Sequence, residues 1–277
     1  MNGPAALSPA ATRALLERLG HHPRKKLGQN FLIDGNIVRK SVALAALRAD
    51  ETVVEIGPGL GTLTGALVAA GARVHAVEID PRLAAHIGDM FGDRVELLQG
   101  DAVDRPLGTA APARGEPFSV VANLPYAITS PWMEALLSGP LPRRMVLMVQ
   151  KEAADRLTAR PDGGSAGAVS IFLQSAYHGE SRHAVSRACF YPAPAVDSTL
   201  LVLVRRAAPL RFPRQARDAV RRVFTQRRKQ LQTLVKNDAL LGPWWEGARE
   251  TYDLSPTLRA EAVPLAAWQR LASPYET

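Results

Sequence analysis

Short apolar runs alternate with helix-like stretches through the first half of the chain. TVVEIG (Thr52 to Gly57) reads as a β-branched strand ending in a glycine-rich turn, and the apolar helix LTGALVAAG follows it. RVHAVEID (Arg73 to Asp80) is a second strand, after which Pro81 opens a helix running to about Met90. VELLQGD (Val95 to Asp101) is a third strand, FSVVA (Phe118 to Ala122) a fourth, and MVLMVQ (Met145 to Gln150) a fifth that flows into the helical KEAADRL. Strands apolar at successive positions, rather than at every second one, are covered on both faces, which predicts a parallel sheet between layers of helices. Upstream lie a short helix within the first twenty residues and a helical segment from Asn36 to Leu47.

After Gly163-Gly164 the pattern changes. A helix-like segment from Ala168 to Tyr177 precedes an irregular stretch to Arg187, and VDSTLLVLVRR (Val196 to Arg206) reads as a long antiparallel strand at a sheet edge. Pro209 and Pro213 mark a linker into a helical region from Arg214 to about Leu271. The expected architecture is an α/β domain over residues 1–208, carrying an N-terminal basic segment at 21–40, and a small helical domain over 209–277.

Composition narrows the class. A chain of 277 residues with 47% hydrophobic and 22% charged residues folds around a sizeable core. No apolar run approaches the ~20 residues needed to cross a bilayer, and the N-terminus lacks a charged start followed by an apolar stretch. A single cysteine, Cys189, excludes an internal disulfide and fits a reducing, cytoplasmic setting. The net charge of +8 is concentrated: residues 205–236 hold eleven basic side chains against one acid, Asp218. Such a window predicts a polyanionic partner. On one continuous helix Arg214, Arg217, Arg221 and Arg228 would fall within an arc of about 60°, with Val220, Phe224, Leu231 and Leu234 on the adjoining face.

Candidate chemistry gathers where the strands end. The turn Glu55-Ile56-Gly57-Pro58-Gly59-Leu60-Gly61 has the spacing G-x-G-x-G, and Thr62 stands where a dinucleotide fingerprint requires its third glycine. An acid at Glu55 is poorly placed beside a pyrophosphate and suits a cationic ligand without phosphate. S-adenosylmethionine, with its ammonium and sulfonium, is such a ligand. Glu78 ends the second strand, 21 residues after Gly57, where a carboxylate can accept from both ribose hydroxyls. Asp101 ends the third, placed to accept from an adenine amino group. Asn123, Leu124, Pro125 and Tyr126 end the fourth. Proline halts the ladder there, and the Asn123 side-chain oxygen with the Leu124 or Pro125 carbonyl can accept both N–H groups of an exocyclic amine. Tyr126 offers a stacking face for an extruded base.

These residues, with KKLGQNFLID, VVEIGPGLGTLT, VEID, GDAV, MVQKEAADRL, FYPAPAVDSTL and VFTQRRKQL in this order, resemble the ribosomal RNA adenine N6,N6-dimethyltransferases. The resemblance runs from about Arg24 to about Ala272, and the first and last two segments point to the bacterial small-subunit branch. It implies a Rossmann-like class I methyltransferase fold and binding of S-adenosylmethionine by Asn30, Leu32, Gly57, Glu78, Asp101 and Asn123, with S-adenosylhomocysteine as product and no metal. Asn30 and Leu32 are implied by the family alone. The implied substrate is 16S rRNA in a partly assembled small subunit, dimethylated at two adjacent adenosines of its 3′-terminal hairpin by a monomeric, cytoplasmic enzyme. Two alternatives stand beside it: a 23S rRNA dimethyltransferase of the antibiotic-resistance type, and a non-catalytic assembly factor. FYPAPAVDS and QRRK weigh against the first, and the intact Asn123 to Tyr126 tip against the second.

Overall fold

The structure, a computed structural model, describes residues 7–113, 115–160 and 165–275. The Gly163-Gly164 pair lies outside them. Contacts divide the chain into two compact units, Met1–Ala154 with Gly179–Arg205 and Asp155–His178 with Arg206–Thr277. Residues 155–178, grouped with the first domain by the sequence reading, belong by contacts to the second unit.

The chain begins with α1 (Pro9–Arg18), the short β1 (Phe31–Leu32) and α2 (Gly35–Ala45). The repeating part follows: β2 (Thr52–Ile56), α3 (Thr62–Ala69), β3 (Arg73–Glu78), α4 (Pro81–Phe91), β4 (Val95–Gln99), β5 (Phe118–Asn123), α5 (Thr129–Leu136), β6 (Arg144–Gln150) and α6 (Lys151–Leu157). After α7 (Ala168–Ala176) come β7 (Tyr177–Val185), β8 (Phe190–Tyr191) and β9 (Ser198–Arg205). Seven strands form one sheet in the order β4-β3-β2-β5-β6-β9-β7. The first five are parallel, with Val53 opposite Val74 on one side and Ser119 on the other. β9 runs antiparallel to β6. Every residue of β2 is buried, Thr52 and Glu55 included, as expected of a central strand covered on both faces. Val53, Val74, Val121 and Val146 form a core with Val38 of α2, Leu67 of α3 and Ile87 of α4. Burial of such side chains contributes roughly 1.5–3 kcal/mol each, and this layer holds the strand ends in place.

Two expectations are corrected here. The stretch expected to be irregular before Arg187 is β7, and β9 is therefore an interior strand rather than the edge. His178, Gly179, Glu180 and Arg182 are exposed, so between Tyr177 and Ala184 the strand carries no apolar signal, and it forms because β9 offers an open ladder. Charged residues on that edge also oppose further pairing.

The second unit contains β10 (Leu210–Arg211), α8 (Arg214–Phe224), α9 (Leu231–Val235), α10 (Leu241–Tyr252), α11 (Leu265–Gln269) and β11 (Ser273–Pro274), with α7. Trp244 stacks on Trp268 at 4.4 Å, and Phe224 packs against Trp268 at 5.8 Å. The continuous basic helix is not formed. α8 stops at Phe224 because Thr225 to Gln230 are all polar and exposed, with nothing to bury. Gln226 N–H donates to Val223 O at 3.0 Å and Lys229 N–H to Gln226 O at 2.9 Å, closing tight turns. Arg228 lies on that connection, Leu231 and Leu234 lie on α9, and Arg221 pairs with Asp218 at 2.9 Å. Among the described residues no helix is long and apolar enough to cross a membrane.

Candidate active site

Within the first unit the strand order reverses beside β2: β3 and β4 lie to one side, β5 and β6 to the other. Crossovers leaving in opposite directions open a crevice beyond the carboxyl ends of β2 and β5, where open α/β sheets bind ligands. A cleft of about 1030 Å³, its solvent mouth included, occupies that place. Asn30, Leu32, Gly57, Glu78, Asp101, Asn123, Leu124, Pro125 and Tyr126 all line it.

The glycine turn is shaped by its neighbours. Gly59 and Gly61 have φ of 58° and 80°, and a Cβ would approach the Phe31 ring to 3.0 Å at the first and the Phe91 ring to 2.8 Å at the second. Positive φ and close packing together require glycine there. Three of the turn's N–H groups are already committed: Gly57 to Val77 O at 2.9 Å, Gly59 to Glu78 Oε2 at 3.1 Å and Gly61 to Pro58 O at 2.9 Å. A phosphate cradle would leave such donors facing the ligand; this turn spends them internally.

Acceptors dominate the walls. Glu55 is buried, its Oε2 has no hydrogen-bond partner, and burial pushes its carboxyl up to about 8, with the nearby Glu78 charge adding to the rise. The Thr64 hydroxyl pulls the other way, but from outside hydrogen-bond geometry. Glu78 accepts from Gly59 N–H through Oε2 and from Asp80 N–H through Oε1 at 3.0 Å. Burial still raises its carboxyl above the ordinary range. Asp101 is exposed and spends Oδ1 on Val103 N–H at 2.7 Å.

At the end of β5, Asn123 Nδ2 donates to Asn30 O at 2.9 Å. The carboxamide is thereby oriented with its acceptor oxygen turned the other way. Leu124 N–H continues the ladder to Met148 O at 3.0 Å. Pro125 O is drawn into the following turn by Ile128 N–H at 3.1 Å. Of the two carbonyls considered from sequence, Leu124 O is the one that no described backbone hydrogen bond outside the strands engages. Tyr126 is half-buried, and its hydroxyl meets Ser198 Oγ at 2.8 Å.

The segment from His21 to Asn30 crosses to this cleft and is fastened by residues that sequence reasoning did not single out. Gln29 Oε1 accepts Arg24 N–H at 2.8 Å. A backbone N–H can only donate, so the amide oxygen is fixed, and His21 Nε2, 3.1 Å away, must carry the proton it shares with Gln29. Asp80 is fully buried; it caps α4 through Arg82 N–H at 3.0 Å and lies 3.4 Å from the Arg24 guanidinium. The position of Asp80 immediately before Pro81 was the available signal, since an acid before a helix-opening proline is a cap.

Carboxylates and carbonyls around a turn whose three glycine N–H groups are already engaged fit a cation bearing hydroxyls and an amine, and fit S-adenosylmethionine on that account. When bound, it supplies an electrophilic methyl on a sulfonium centre. A doubly wound sheet with this strand-end constellation defines a class I S-adenosylmethionine-dependent methyltransferase. The model of the ribosomal RNA adenine dimethylase family matches residues 20–242, and the chain belongs to that family. It is 52% identical to the ribosomal RNA small subunit methyltransferase A of Opitutus terrae, over 96% of this chain and 98% of that protein. Identity to the protein of the same description in Streptomyces griseus is 40%, over 97% and 94%. Among solved structures it is similar to the 23S rRNA methyltransferase ErmE, with TM-score 0.63 and 29% identity over 87% of this chain and 98% of that one. The fold is shared with a dimethyladenosine transferase of Plasmodium falciparum, TM-score 0.66 at 24% identity over 87% and 95%.

Proposed function

We propose that this protein dimethylates N6 of two adjacent adenosines in the 3′-terminal hairpin of 16S rRNA, with S-adenosylmethionine as donor, on a small-subunit particle still being assembled. The observation that carries the site reading is the Asn123 carboxamide, whose Nδ2 is held by Asn30 O at 2.9 Å in a cleft that Leu124 also lines. The Asn123 oxygen and the Leu124 carbonyl bind both N–H groups of the adenine amine, which withdraws its lone pair from the ring and points it at the methyl group. Orientation and fixed dipoles do the work. The proton leaves after the nitrogen has become cationic, so no strong base is required beforehand, and no metal is among the requirements of these steps. Tyr126 stacks on the extruded base. Glu78 holds the ribose hydroxyls, Asp101 the adenine amine of the donor, and Glu55 faces its cationic end, while Asn30, Leu32 and Gly57 complete the wall.

The small-subunit assignment is supported by the extent and identity of the likeness to the small-subunit enzymes. We further infer a monomer working in the cytoplasm, with Arg228 and Lys229, both exposed, among the groups that meet RNA phosphates. The test offers unmethylated small subunits and free large subunits separately, with labelled donor, and maps the product by mass. Four methyl groups on two adjacent adenosines of the small-subunit RNA are expected. Label in large-subunit RNA would favour the resistance-type reading, and no label in either a non-catalytic one.

A further inference from the structure

The sequence segment FYPAPAVDSTL (Phe190 to Leu200) has no chemistry assigned to it by the cofactor site, yet it contains Ser198, which touches the strand tip. Tyr126 opens a single 3₁₀ turn, Tyr126–Ile128, an element with poor hydrogen-bond geometry and little hold on a side chain. Its ring lines the cleft and is only half-buried. What restrains it is distant in sequence: the phenol oxygen lies 2.8 Å from Ser198 Oγ, 72 residues away. Ser198 is itself immobilised. It is 1% exposed, starts β9 and stands in register with Gln150 at the end of β6. The residue before it, Asp197, accepts from Lys151 N–H at 3.2 Å and from Arg187 N–H at 2.9 Å. A soft turn is thus tied to a rigid strand by one side-chain bond.

We propose that Ser198 is a positioning residue for methyl transfer: its hydroxyl holds the Tyr126 phenol and so fixes the ring face on which the acceptor adenine stacks. This rests on the reading of Tyr126 as the stacking face. Stacking is effective only over a narrow range of offset and tilt, and a small displacement of a base costs rate because the amine must face the methyl in line. RNA affinity is dominated by phosphate contacts elsewhere, so the ring's order acts on turnover more than on binding.

The experiment compares wild type, Ser198→Ala, Tyr126→Phe and the double variant. On unmethylated small subunits each single variant is expected to lower kcat about fivefold, the size of one lost neutral hydrogen bond. KM for the subunit and Kd for S-adenosylmethionine should stay within about twofold. The double variant should be no slower than either single one, because both remove the same bond. On the protein alone, the ¹³Cζ resonance of Tyr126 should move in Ser198→Ala, a change that general loosening of β9 would spread over other tyrosines. Tyr126→Phe keeps the ring and guards against a variant that fails to fold. Wild-type kcat in Ser198→Ala, additive losses in the double variant, or an unmoved Tyr126 resonance would each overturn the role of Ser198. An inactive wild type would instead overturn the methyl-transfer reading on which the stacking role rests.

Discussion

Two buried glutamates sit four residues apart at opposite ends of one strand, and their surroundings could hardly differ more. Glu51, just before β2, is 5% exposed and receives four hydrogen bonds: Ser119 Oγ at 2.6 Å, Arg143 Nε at 2.7 Å, Arg143 Nη2 at 2.7 Å and Arg48 N–H at 3.0 Å. Burial works to raise its carboxyl, and the Arg143, Ser119 and Arg48 bonds outweigh it, leaving Glu51 below the ordinary range. Glu55, inside the same strand, is 1% exposed with an orphaned oxygen and a carboxyl pushed up to about 8. A satisfied buried carboxylate clamps α2, β2, β5 and β6 together at the amino ends of the strands. An unsatisfied one is a cost the fold tolerates where a ligand can relieve it. Opposite ends of one sheet thus divide stability from function.

Four substitutions test that division, beginning with the largest effect. Asn123→Ala should lower methyl incorporation by about 10²–10³-fold while leaving urea-induced unfolding nearly unchanged. Equal loss of stability and activity would mean the tip is merely structural. Glu51→Ala should do the reverse, costing roughly 3 kcal/mol in urea unfolding by stranding the Arg143 guanidinium, with cofactor affinity retained in the folded fraction. Glu55→Gln should change the pH dependence. A carboxyl raised from 4.5 to about 8 on folding contributes stability that is complete below pH 4.5 and is lost as pH rises through about 8. Wild type should therefore lose on the order of 1 kcal/mol per pH unit relative to Glu55→Gln across that window. Glu51 acts with the opposite sign, its contribution vanishing as pH falls through its lowered value. Asp80→Asn should be mildest, since Arg24 is more than half exposed and screened. It should cost under about 1 kcal/mol of stability and weaken S-adenosylmethionine binding only a few-fold, because the asparagine still caps α4.

The division was only partly legible in the sequence. The glycine turn, the strand-terminal acids and Asn123 to Tyr126 are local signals, and each names its own strand end. Glu51 and Arg143 are 92 residues apart and join only when β6 is laid beside β5; nothing in either neighbourhood announces the pair. β7 escaped notice because its middle, from His178 to His183, has no apolar side chain and pairs with β9 alone. The helix drawn through Arg228 failed for a related reason. Periodicity placed the arginines on one face, but α8 lasts only while Ala216, Ala219, Val220 and Val223 have something to pack against.

Calorimetry of S-adenosylmethionine binding at pH 7, repeated in buffers of different ionisation enthalpy, probes the reserved carboxylate most directly. A cation arriving beside Glu55 should expel close to one proton from wild type and none from that position in Glu55→Gln, whose affinity should also fall. Equal affinity with no proton exchange in either protein would contradict a strand end held open for a cationic donor.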